Sequence, residues 1–114
     1  MQQQHKLEPS ARVAASVAMI KRAIEERHCL SGTHVEFRVR FAPHALKRDE
    51  NGRPIVFGFE YGGLTLGRAH WVCFAVHRLR GLEPNGDPWR SGSAENRPEF
   101  GPTDVEARVN PRFA

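Results

Sequence analysis

The feature that most constrains this chain is an early change of hydrophobic period. Val13, Val17, Ile20 and Ile24 recur at i, i+4, i+7 and i+11, the single apolar stripe of an amphipathic helix. Soon afterwards Val35, Phe37, Val39 and Phe41 alternate with Glu36, Arg38, Arg40 and Ala42, the period of a half-buried strand with an arginine-bearing outer face. One helix followed by short alternating runs can bury its apolar sides by packing helix against sheet.

The helix is expected over about residues 11–27, with Ser10 after Pro9 placed to accept from the free amides of the first turn. Ala11, Ala14, Ala15, Ala18 and Ala23 favour helix, and Lys21, Arg22 and Arg27 suit the negative end of its dipole. Cys29 to Thr33 offers a preceding strand, weakened by Gly32. Asp49-Glu50-Asn51-Gly52 signals a turn. In the strand that follows, Ile55, Phe57, Phe59 and Tyr61 face one way and Val56, Gly58 and Glu60 the other, before Gly62-Gly63. His70 to Val76 is apolar on both faces, as in a central strand, and Val76 to Leu82 can close in a short helical turn. Asp104 to Val109 reads as an edge strand. The expected solution is α+β, mainly β: a small, strongly bent antiparallel sheet or partly open barrel under one helix. Val13, Val17, Ile20 and Ile24 are expected against Val39, Phe41, Phe57, Phe59 and Phe74.

A chain of 114 residues, 39% hydrophobic, suits one domain and is too small for a cofactor domain beside a catalytic one. The divisions expected are a flexible terminus at 1–10, a helix-plus-barrel domain at 11–90 and an extended tail at 91–114. No stretch approaches the roughly 20 apolar residues of a membrane span. Met1-Gln-Gln-Gln-His5 is polar, and Cys29 and Cys73 do not make a disulfide framework, so a cytoplasmic protein is expected.

Six histidines and two cysteines raise the question of metal or nucleophile chemistry. His70 and Cys73, three apart in a strand, fall on opposite faces and cannot clamp one ion together. Cys73, between Val72 and Phe74, is expected to be a buried and inert thiol. The chain shows no phosphate-cradling glycine loop before a helix and no carboxylate pair. The expectation is therefore no enzyme, no metal site and no cofactor.

Charge is more informative. The formal net charge is +4, and almost all the basic residues are arginine. Residues 12–80 hold twelve Lys and Arg against six acids, whereas 81–114 hold four arginines against six acids. Arg38 and Arg40 project from one strand face, and guanidinium forks suit phosphate and carboxylate oxygens. A basic strand face with nearby aromatics is one way a small β-barrel holds single-stranded nucleic acid. The same arginines equally suit a solvated face paired with Glu36 and Glu60. His44, after Pro43 at the expected strand exit, is a ligand-contacting imidazole or, in the favoured reading, a group that bonds loop backbone. Trp71 and Trp89 read as packing residues, Trp89 also as the cover of a barrel edge or groove mouth.

An ordered series of phrases adds a resemblance. Ala23-Ile-Glu-Glu-Arg27, Phe41-Ala-Pro-His-Ala-Leu46, Asn51-Gly-Arg-Pro-Ile-Val-Phe-Gly-Phe-Glu-Tyr-Gly-Gly63 and Trp71-Val-Cys-Phe-Ala-Val76 with Arg78-Leu79 follow one another over about residues 20–90. This series resembles the WYL-like domains of bacteria, in particular short stand-alone proteins of that kind, although Pro54-Ile55-Val56 stands where the Trp-Tyr-Leu triplet is expected. Asp87-Pro-Trp-Arg90 and Arg97-Pro98 fit the stand-alone subset. The resemblance implies an SH3/Sm-like small β-barrel, packed by the N-terminal helix, that senses or binds an anionic or nucleic-acid ligand, and it implies no catalytic reaction. The expected function is a non-enzymatic binding module for single-stranded nucleic acid or another anionic ligand, with Arg38, Arg40, His44, Arg53 and Tyr61 as candidate ligand-binding residues. The alternative is a protein-interaction module that self-associates, as a homodimer, through its helix or an open barrel edge. No membrane partner is expected.

Overall fold

The apolar stripe forms helix α1, Pro9–Glu26, in a computed structural model that describes residues 9–62, 69–100 and 105–109. Arg27 stands just outside the helix at φ 55°, and the His28 amide donates back to the Ala23 carbonyl (2.9 Å), which closes the C-terminus in a Schellman-type turn. The last turn therefore carries no basic residue. Arg22 instead pairs with Glu26 one turn on (3.2 Å). Among the described residues, no helix is long and apolar enough to cross a membrane.

Among the described residues six antiparallel strands follow: β1 (Leu30–His34), β2 (Phe37–Arg48), β3 (Pro54–Gly62), β4 (His70–Ala75), β5 (Leu79–Pro84) and β6 (Ala107–Arg108). A single 3-10 turn, Val76–Arg78, joins β4 to β5. The order across the sheet is β4-β3-β2-β1-β5, with β6 added to the far half of β2. The class is α+β, mainly β, as the periodicity implies. The expected closure into an SH3/Sm-like barrel does not occur: β4 and β5 end the sheet without pairing to each other.

Ile20, Ala23 and Ile24 bury against Leu30, Val39, Phe41, Leu46, Val56, Phe74, Val76 and Leu79, with Val13 and Val17 packed at the margin. Three expectations are corrected here. Val35 and Phe37 are not buried: Val35 and Glu36 form the β1–β2 turn, and Phe37, paired with His34 on the inner face, lies beyond the core, so the buried inner row begins at Val39. Phe57 and Phe59 point away from the helix, because their strand neighbours Val56 and Gly58 take the inner positions. Phe59 packs edge-on against Trp71 and Phe57 against Phe100. β4 is an edge strand, not a central one, and its Cys73 is exposed. The β3–β4 pairing places Cys73 opposite Phe57 on the outer face, beyond the core.

The Asp49–Arg53 segment turns as expected. The Asp49 carboxylate accepts from the amides of Asn51 and Arg53 (both 2.9 Å). β5 was not foreseen: only the first three residues of Val76–Leu82 are helical. The tail expected to hold an edge strand does so at β6. Asp104, the proposed start of that strand, lies outside the described residues, as does Gly63.

Candidate anion-binding site

β2 carries the candidate site because it is long and its pairing with β3 shifts twice, at Tyr61 on β3 and at His44 on β2. Its first part pairs with β1 and its second with β3, and the register slips between Arg40 and Phe41 and again between Pro43 and Ala45. Register partners share a face. Arg38 thus lies beside Thr33, and Arg40 lies in a row with Ser31 on β1 and Gly62 on β3. All of these stand on the side of the sheet away from α1.

The Arg40 guanidinium lies flat over Gly62, in space that a Cβ there would occupy. From that position it faces the Tyr61 ring (5.6 Å) and pairs loosely with Asp87 (3.7 Å). The Arg90 guanidinium covers the same ring more closely (4.4 Å). Tyr61 donates its hydroxyl hydrogen to Asp87 Oδ2 (2.7 Å) and accepts from Asn85 Nδ2 (3.0 Å). Asn85 Nδ2 also donates to Ser31 Oγ (2.9 Å). Burial, and then the Asp87 hydrogen bond, raise the Tyr61 pKa well above its ordinary value, so the phenol stays protonated. Glu60, expected as an arginine partner, is buried and pairs with His70 (3.5 Å).

Arg38, Arg40, Phe37, Ser31 and Gly62, with the one acid Glu36, line one open groove of about 550 Å³. Arg38 makes no ion pair among the described residues and donates only to Thr33 Oγ1 (3.3 Å). Two of the five candidates, Arg38 and Arg40, therefore share the groove, and Tyr61 joins them through Arg40. Arg53 does not join them. It sits exposed in the turn at the opposite end of β3, beside the register pair Arg48 and Pro54.

His44 also stands apart. It is the bulged residue of β2, not the strand exit, because the strand continues to Arg48. The bulge leaves it on the outer face with its ring between Trp71 and Trp89 (4.9 Å to each). Its Nε2 donates to the Arg90 carbonyl (2.9 Å). It is buried and bonds loop backbone, which matches that part of the favoured reading, although the loop is the one that follows β5 and not a strand exit. Burial holds its pKa below the ordinary histidine value against the opposing effect of that carbonyl, and Arg97 adds to the lowering.

Arg90, Asp87 and Asn85 were missed as site residues. Asn85-Gly-Asp-Pro was legible as a turn and Asp87-Pro-Trp-Arg90 as a phrase. Nothing in the one-dimensional pattern said that the turn folds back over Tyr61. Among the described residues no three His, Cys, Asp or Glu side chains converge on a metal position. No family model matches the chain, and neither a curated protein nor a solved structure matches it.

Proposed function

We propose that this protein is a non-enzymatic binding module that holds single-stranded nucleic acid or another anionic ligand on the outer face of β2. The observation that carries this reading is the open groove where two exposed guanidinia, Arg38 and Arg40, project from one face of β2. Arginine forks take phosphate or carboxylate oxygens. The kinship to WYL-like domains belongs to the same proposal. The return of β5 to lie beside β1 supports it, since it is the move by which a small barrel brings its last strand to its first. On this view the sheet is an opened-out SH3/Sm-like arrangement.

The Arg38→Ala/Arg40→Ala protein tests the reading. Both side chains are exposed and Arg40's ion pair is loose, so stability should move by only about 0.5 kcal/mol. Binding of single-stranded RNA or DNA should weaken, and the salt slope should fall by roughly one to two. Fluorescence titrations at several salt concentrations measure both. Absence of wild-type binding at low salt removes the reading, and equal binding by both proteins moves the site off β2.

A second reading, self-association, draws on the edges of β4 and β5, each paired on one side only among the described residues. It predicts a dimer whose affinity does not change with salt.

A further inference from the structure

Val35 and Phe37 are the exposed large hydrophobic residues among those described, at 54% and 47%, and both stand at the β1–β2 hairpin tip. Val35 has φ 58°. A β-branched residue is rarely found there, and glycine or asparagine would serve the turn better in both conformation and solubility. The tip thus keeps an apolar side chain where folding disfavours it twice.

The surroundings of the tip are basic. Thr33 is in register with Arg38 on β2 and with Arg80 on β5, so the two arginines flank it on one face, about 10 Å apart at the backbone, while Phe37, in register with His34, projects from the other face. The Val35 amide donates to the Arg78 carbonyl (3.1 Å), which sets Arg78 beside the turn. Arg38, Arg78 and Arg80 are exposed and make no ion pair among the described residues. The turn itself offers one acid, Glu36.

We propose that this tip is the base-contacting part of a single-stranded nucleic-acid site. Phe37 stacks on an unpaired base on one face of the tip, Val35 packs beside it, and Arg38 and Arg80 on the other face, with Arg78 beside the turn, take the phosphates of the strand as it passes round the tip. The inference rests on the anion-binding reading above and extends it from phosphates to bases and from β2 to β5. Charge selects the occupant. A second copy of the same tip would set like charges against each other, whereas a polyanion with aromatic bases satisfies both the collar and the tip.

The test uses the full chain, a fluorescent oligothymidine and an abasic strand of equal length and charge. Wild type should bind the base-bearing strand about tenfold more tightly than the abasic one, the order of one stacked base. Phe37→Ala should remove that preference and leave the salt slope unchanged. Val35→Gly should raise the melting temperature and weaken binding to the base-bearing strand. It therefore separates contact from folding even if Phe37→Ala melts early. Equal wild-type affinity for the two strands, or a preference that survives Phe37→Ala, overturns the tip assignment and leaves the anion reading standing. Binding to neither strand overturns both. A salt-insensitive dimer lost in Phe37→Ala, without strand binding, assigns the tip to a second copy and overturns the nucleic-acid occupant.

Discussion

His44 shows how one residue can tie two parts of the chain together. Its Nε2–H satisfies the Arg90 carbonyl while its ring fills the space between two indoles. Replacement by alanine removes a hydrogen bond and leaves a gap, and should cost about 2 kcal/mol in denaturant melts. The pH dependence has a definite sign. Burial keeps the folded-state pKa below the ordinary value of 6.5, so the unfolded chain takes up the proton first as pH falls. His44 then contributes stability that is fully present above about pH 6.5 and is lost as pH drops toward its folded pKa. Melting temperatures of wild type and His44→Gln across that range should converge on acidification. Parallel curves would assign the acid sensitivity to other groups.

Among the elements, β2 is the one on which the others depend. At 12 residues it is the longest described strand, and it pairs with β1, β3 and β6 along its length, with one bulge of its own at His44 and one opposite it at Tyr61 of β3. The inner crossing of β2 and β3 is close. A Cβ at Gly58 would meet the Ala42 carbonyl oxygen at 2.7 Å and Phe41 Cδ2 at 2.9 Å. Because backbone must move to relieve that overlap, Gly58→Ala should destabilise by about 1–3 kcal/mol, measured by urea denaturation. A loss below about 0.5 kcal/mol would show that the two strands have room to separate.

At the scale of the molecule, the sheet is covered on both sides by different means. The helix covers the inner face, and the segment from Asn85 to Phe100 straps the outer one. Cys29 Sγ donates to the Pro88 carbonyl, Trp71 Nε1 to the Ser93 carbonyl, and Arg97 to the carbonyls of Ser91 and Gly92. Arg97 also lies over the Trp71 ring (4.9 Å). Asn85 begins the strap. Its amide donates to Cys29, its side chain to Ser31 and Tyr61, and its Oδ1 accepts from the Asp87 amide. Asn85→Ala should cost about 2 kcal/mol and loosen the strap. Iodide quenching of Trp71 and Trp89 should then rise before global unfolding, whereas unchanged quenching would mean that the remaining contacts secure the segment without Asn85.

What the sequence determined is what depends on neighbours within a few positions. The stripe from Val13 to Ile24 demanded a helix, the Asn51-Gly52 signal a turn, and the alternation of Val39, Arg40 and Phe41 a strand with its arginines outward, because each is set by a local period or a local φ preference. What only the tertiary structure decided is what depends on register. Phe37 lies two positions before Val39, as an inner residue would, yet it is exposed because the strand there runs past the core into its turn. Phe57 and Val56 are both apolar, and the pairing with β2 chose Val56 for the core. Extra residues at His44 on β2 and Tyr61 on β3 changed which side chains share a face, and a chain reversal of more than twenty residues brought Arg90 and Asp87 onto Tyr61. Faces in a sheet alternate with every residue, so a single inserted position inverts them, and no local pattern carries that information.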